Sequence, residues 1–192
     1  MDKSSMEEHG KLHGETLLNT LDPIHIALIK GNLEAFKLIF ASIECKNPVY
    51  NQFGDTLFHR AASLRLIDHC KLIIENTHIK NPSNSRGTTP LHLSARPDYL
   101  DFFSDFTSGF PLHVSIMNGG PMNGHLAICE LIIKNIDNKN PTDNNGKTPL
   151  HMAAQCGFLD ICKLIMKNVE DKNPADYSGE TPLHLAASND RG

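Results

Sequence analysis

The chain contains no run of 18 or more apolar residues, so no stretch reads as a membrane-spanning helix. Its opening, MDKSSMEEHGKLHGE, lacks the apolar core of a secretory signal. No Asn-X-Ser/Thr acceptor with X other than Pro occurs either. These absences point to the cytosol or the nucleus. An excess of one charge is missing too: 18 basic side chains stand against 22 acidic ones, a formal net charge of −4. That balance gives no electrostatic basis for binding nucleic acid or inserting at a membrane.

Signatures of chemistry are equally scarce. Neither HExxH nor CxxC occurs, so a zinc site has no sequence basis. Neither GxxxxGK[ST] nor GxGxxG is there to cradle phosphate, and a GxSxG elbow is absent. Cys156, beside a turn, has no activating partner at a defined spacing and reads as a surface cysteine, not a nucleophile. The expectation is a non-catalytic protein with no cofactor and no metal.

What the chain does have is repetition. His25, His59, His92, His151 and His184 follow one another at steps of 34, 33, 59 and 33 residues. The tripeptide Lys-Asn-Pro, starting at Lys46, Lys80, Lys139 and Lys172, keeps steps of 34, 59 and 33. Two unrelated markers sharing one set of offsets identify a tandem array. A unit of this size buries too little surface to fold alone, so stability must come from stacking.

Each unit has a local logic. In the most regular one, Thr148 is placed to cap a helix and Pro149 to occupy its first turn. Leu150, Ala153 and Ala154 form a packing face, and Gly157 turns the chain. A second helix carries Leu159, Ile161, Cys162, Leu164 and Ile165 as an apolar stripe. Lys-Asn-Pro ends that helix, because the residue before a proline is pushed out of the α region. An Asx-X-X-Gly turn follows at Asn84–Gly87, Asp143–Gly146 and Asp176–Gly179. Cys70, Cys129 and Cys162 share one repeat position, filled by Phe36 in the first unit. Packed helices lie about 8–10 Å apart, too far for a disulfide whose Cα atoms are within about 7 Å. These cysteines are therefore expected as reduced core residues.

Thr148-Pro149-Leu150-His151 with Ala153-Ala154 and Gly157 resembles the motif of the ankyrin repeat family, as does Thr181-Pro182-Leu183-His184 with Ala186-Ala187. The resemblance covers roughly residues 22–192. It implies an all-α repeat fold, an α-solenoid of helix–turn–helix units joined by β-hairpin-like loops. It also implies that the repeated histidine hydrogen-bonds between units, and that the hairpin tips with the first-helix surface form a concave protein-binding face.

Residues 1–21 carry no marker and are expected as either a capping helix or a disordered segment. The array proper, 22–192, divides into units at 22–55, 56–88, 89–147 and 148–180, with a partial unit at 181–192. The second unit departs from the motif: Leu57 stands where proline is expected, and Arg65 where glycine is. It is expected to be the least regular full-length unit, with Arg65 strained if that turn needs positive φ.

The third unit carries 26 surplus residues, near 97–122. They read as a loop inserted between its two helices, rich in apolar side chains (Tyr99, Leu100, Phe102, Phe103, Phe106). The rival reading starts another repeat at Phe110-Pro111-Leu112-His113, and a gene-model error would give the same surplus. The half unit at the end lacks a second helix, so the chain is expected either to be a fragment or to be covered there by a partner.

Site residues follow from which positions vary between units. At the tips the partner-binding candidates are Tyr50, Phe53, Asp55, Arg86, Asn144, Lys147, Tyr177 and Glu180, with Gln155 on the helix side. Exposed aromatic and arginine side chains suit interface anchors, which favours Tyr50, Phe53, Arg86 and Tyr177. The leading expectation is a scaffold binding an unidentified protein partner, monomeric unless its open C-terminal repeat pairs. The alternative is the targeting segment of a larger enzyme or channel. A small-molecule site around Asp98, Asp101 and Asp105 is a weaker reading than a solvated helix face.

Overall fold

The computed structural model describes residues 22–96 and 123–189. Within them are nine helices: α1 (Pro23–Ile29), α2 (Leu33–Ser42), α3 (Leu57–Ser63), α4 (Ile67–Asn76), α5 (Pro90–Ser94), α6 (Asn123–Asn135), α7 (Pro149–Gln155), α8 (Leu159–Asn168) and α9 (Pro182–Asn189). The odd-numbered helices up to α5, then α7 and α9, form an inner layer; α2, α4, α6 and α8 form an outer one. Inner helices α3, α5, α7 and α9 pack in succession, as do the outer four, and each pair is joined within its unit. Residues 1–21, the surplus segment with its Phe cluster, the rival start at Phe110–His113 and the Asp98, Asp101, Asp105 set lie outside the described residues.

Inner helices begin as expected. Asp22 accepts the Ile24 amide at 3.3 Å ahead of Pro23. Thr56, Thr89 and Thr148 each cap a helix together with the histidine three residues on. The second unit is not irregular at this point. Leu57 retains an amide that proline would lack, and the Pro48 carbonyl accepts it at 3.1 Å, so α3 is as long as α7. The departure is confined to Arg65, at φ +61°, which takes the left-handed turn that Gly31 and Gly157 take elsewhere.

The Lys-Asn-Pro marker does more than end a helix. Lys46 Nζ donates to the carbonyls of Phe40 and Ile43, both at 2.6 Å, closing the C-terminus of α2. Lys80 does the same for α4 at Ile74, and Lys139 for α6 at Ile133 and Ile136. A cation at a helix C-terminus satisfies orphan carbonyls and opposes the negative end of the dipole. The asparagine then reaches forward to the next inner helix. Asn47 Oδ1 accepts the Phe58 amide at 2.9 Å, Asn81 the Leu91 amide at 3.3 Å and Asn173 the Leu183 amide at 3.2 Å. In the first two copies the tripeptide thus fastens the end of one helix to the start of the next, whereas Asn140 Oδ1 in the third is buried without a partner.

The core runs between the layers as one continuous cluster, from Ile24 and Phe36 through Phe58, Ile73, Leu91 and Ile128 to Leu150 and Ile165. Cys70 and Cys129 are fully buried in it, and all five cysteines are reduced thiols. Cys162 is only half-buried. Leu159, assigned to the apolar stripe of its helix, is 62% exposed; it lies at the start of α8, ahead of the turns that carry the buried Ile161 and Ile165. No strand occurs among the described residues, where extended backbone pairs in an isolated antiparallel bridge between Val49 and Thr56. The loops keep a hairpin outline because each closes on itself, as in the Asn84 amide donating to the Thr88 carbonyl at 2.9 Å.

Candidate partner-binding surface

The hairpin tips are built from Asx turns. Asp143 Oδ1 accepts the amides of Asn145 and Lys147, both at 2.8 Å, and Asn84 Oδ1 those of Arg86 and Thr88, both at 2.9 Å. Asp176 does likewise with Ser178 and Glu180, both at 2.9 Å. The Ser178 hydroxyl adds a bond to the same oxygen at 2.7 Å, which with the two amides holds the Asp176 carboxyl below the usual range. The first unit has this turn as well: Asn51 Oδ1 accepts the amides of Phe53 and Asp55, both at 3.0 Å. Its signal, Asn51-Gln52-Phe53-Gly54, has the same spacing as the three turns recognised from sequence.

Each tip is bonded to the next through the backbone. Ser85 N–H donates to the Phe53 carbonyl at 2.8 Å, Asn144 N–H to Arg86 at 2.9 Å, and Tyr177 N–H to Asn145 at 3.0 Å. The contact is too close for side chains at the glycines. A Cβ on Gly87 would stand 2.6 Å from Asn144 Oδ1, and one on Gly146 2.7 Å from the Tyr177 ring. The tips therefore form a continuous rim, bonded from each unit to the next.

Behind the rim runs the histidine ladder. The amides of Thr56, Thr89 and Thr148 donate to Nδ1 of His59, His92 and His151 at 3.1, 3.2 and 3.0 Å. An Nδ1 that accepts leaves the proton on Nε2, which donates to the carbonyls of Thr88, Lys147 and Glu180 at 3.0, 3.0 and 3.2 Å. Burial disfavours the charged form of two of them: the His59 pKa is lowered, and that of His92 falls to about 4. The His25 rung is not made. Its Nε2 is buried without a partner, and its ring lies 5.4 Å from that of Tyr50. The ladder is structural, and no group of His, Cys, Asp and Glu that could hold a metal occurs among the described residues.

Eight of the nine predicted site residues fall on this rim or beside it. Tyr177 is 79% exposed. Arg86 is exposed, with its guanidinium 4.3 Å from the centroid of the Phe53 ring, so the two form one stacked unit. Asn144 is exposed and donates from Nδ2 to the Ser85 carbonyl at 2.8 Å. Lys147 Nζ lies 3.9 Å from Asp176 and 3.8 Å from the exposed Glu180. Gln155 is exposed at the end of α7, away from the tips. Tyr50 is half-buried and bonded to Arg60, so it belongs to the wall of the face more than to its tips.

Asp55 must be removed from the set. It is 1% exposed and its two carboxylate oxygens accept the side-chain amides of Asn51 and Asn84, both at 2.8 Å. Sequence variation at that position reflects a buried polar network linking the first two tips, not a contact surface.

The profile of the family described as "Ankyrin repeats (3 copies)" matches residues 24–105 and 112–192. No curated protein matches the chain significantly. No helix among the described residues is long and apolar enough to cross a membrane.

Proposed function

The chain belongs to the ankyrin repeat family, and from that premise we propose that it is a non-catalytic scaffold that binds a protein partner across its tip rim and inner-helix face. Ankyrin repeats are in general protein–protein interaction modules, typically without catalytic activity. The observation that carries the finer reading is the rim itself. Arg86, Asn144 and Tyr177 are bonded through the backbone from tip to tip, and Lys147 and Glu180 are fixed within the turns of the same tips, so their presentation loses little ordering entropy on binding. The reduced thiols suit the reducing cytosol or nucleus.

The test uses peptides selected on the intact chain from an unbiased display library. Substituting Arg86→Ala and Tyr177→Ala together is expected to weaken the selected peptides at least about tenfold, with helical circular dichroism unchanged. Unaltered affinity overturns the site assignment.

A further inference from the structure

His59, His92 and His151 use both ring nitrogens in the ladder. Two other buried imidazoles do not. No protein group among the described residues bonds to Nε2 of His25 or of His69, although the two side chains are only 7% and 3% exposed. Both stand at the joint between the first and second units. His25 is on α1, in the inner layer, with its ring 5.4 Å from that of Tyr50. His69 is on α4, in the outer layer, edge-on to the Phe36 ring of α2 at 4.8 Å. Each layer of this one joint thus holds an orphaned ring nitrogen.

The same joint is the least fastened of the array. Inner helices α3, α5, α7 and α9 pack in succession, but α1 barely approaches α3. In the outer layer α2 meets α4 over less of its length than α4 meets α6 or α6 meets α8. The inner gap has a local cause. Between Lys-Asn-Pro and its Asx turn the first unit has two residues, Val49 and Tyr50, where Ser83, Thr142 and Ala175 stand alone in the others. The longer segment shifts the bond that closes the tip. Tyr50 N–H takes the Asp55 carbonyl at 2.8 Å, whereas Asn84, Asp143 and Asp176 N–H close the later tips. With the Tyr50 ring against His25, the first rung is not formed. The tips themselves stay joined, Ser85 to Phe53 and Asn84 to Asp55, both at 2.8 Å, so an opening here moves α1 and α2 and leaves the tip in place.

Few charges face the two rings. His25 has the Asp22 carboxylate at its own helix cap, and from α3 the Arg60 guanidinium with the Tyr50 phenol bonded to it. The charged group that acts on His69 is Asp68 on its own helix, itself paired with Lys71 at 3.3 Å, while α2 turns the apolar Phe36 ring toward it. Neither carboxylate bonds to an orphaned nitrogen. A proton added in the closed joint would therefore bury a charge without a bonded counter-ion, which is costly. Burial outweighs the neighbouring acids and lowers both pKa values. Opening returns the rings to water, where they take protons near about pH 6.5. The closed form is thus favoured fully above that pH and loses ground as pH falls below it.

We propose that this joint is an acid-opened hinge: protonation of His25 and His69 releases α1 and α2 from α3 and α4. Ile24, Leu28 and Phe36, fully buried, hold it shut at neutral pH. Later joints resist longer, because each keeps a histidine bonded at both nitrogens and a packed pair of inner helices. An array jointed in this way offers its whole inner face at neutral pH and a face shortened by one unit in acid.

The test is hydrogen exchange of the intact chain at about pH 7.5, 6.5 and 5.5, corrected for intrinsic rates and resolved by peptide. Relative to α7 and α8, protection of residues 24–43 is expected to fall by up to about a hundredfold over that range, about tenfold for each imidazole. His25→Leu and His69→Leu each replace an unpaired buried polar group by an apolar one, which is expected to leave folding intact. Each variant should cut the fall to about tenfold, and the pair should abolish it. Protection that declines evenly along the array in the parent chain overturns the proposal, whether or not the variants fold. An undiminished decline in both single variants overturns it as well.

Discussion

His92 Nε2 donates to the Lys147 carbonyl at 3.0 Å across 55 residues of chain. His59 reaches Thr88 and His151 reaches Glu180 with the same bond across 29 residues. The third unit therefore closes on the fourth with the geometry of its neighbours, although 26 more residues intervene. Whatever the surplus segment does, the register of the stack passes through this bond.

Replacing His92 by alanine removes the Thr89 cap bond and strands a buried carbonyl. The expected cost is about 2–3 kcal/mol, read as a lower urea midpoint at unchanged slope. His184→Ala, at an exposed ring, is expected to cost well under about 1 kcal/mol. Equal effects from the two would contradict the ladder.

The same histidines set a pH dependence. The His92 ring is flanked by Thr89, the Lys147 carbonyl, Asp143, His59 and His151. Burial dominates and lowers its pKa from 6.5 to about 4. The unfolded chain then binds the proton more readily, so this contribution is complete above about pH 6.5 and is lost as pH falls toward 4, by about 1.4 kcal/mol per unit. Burial also lowers the pKa values of His25, His59 and His69, which steepens the decline. Thermal melts between about pH 7.5 and pH 5 should show the loss; a flat melting temperature would contradict it.

Gly146 and Gly179 both have positive φ, at +79° and +84°, but only the first is crowded by a neighbouring tip. Gly146→Ala is expected to cost about 1–2 kcal/mol more than Gly179→Ala, because it must also displace Tyr177. Chemical denaturation of the two variants compares them directly.

Thiol reactivity should follow burial. Cys45 is exposed, while burial raises the Cys70 thiol well above its usual range and that of Cys129 to about 12. Iodoacetamide on the native chain is expected to label Cys45 first and to spare Cys70 and Cys129 until unfolding, as read by peptide mass.

Unit length and the Thr-Pro helix starts are legible in the chain, and Arg65 is legible as strained if its turn needs positive φ, because each depends on a residue type at a fixed local offset; the intact start at Leu57 is not. The roles of Lys46 and Asn47 were less so. Their helix-end contacts join segments 6 and 11 residues apart, and only the fold shows which carbonyl or amide lies in reach. Asp55 was misread for a related reason: a carboxylate beside a turn looks like surface until the neighbouring unit supplies Asn84. Leu159 was misjudged because apolar spacing locates a stripe without saying how far the next layer covers it.

The most direct measurement is a hydrogen-exchange footprint of the intact chain with and without a library-selected peptide. The account predicts slowed exchange at the tips, residues 50–54, 85–88, 144–147 and 177–180, and at the exposed end of α7 around Gln155. Protection confined to the outer helices α2, α4, α6 and α8 would contradict it, and would place the binding face on the opposite side of the array.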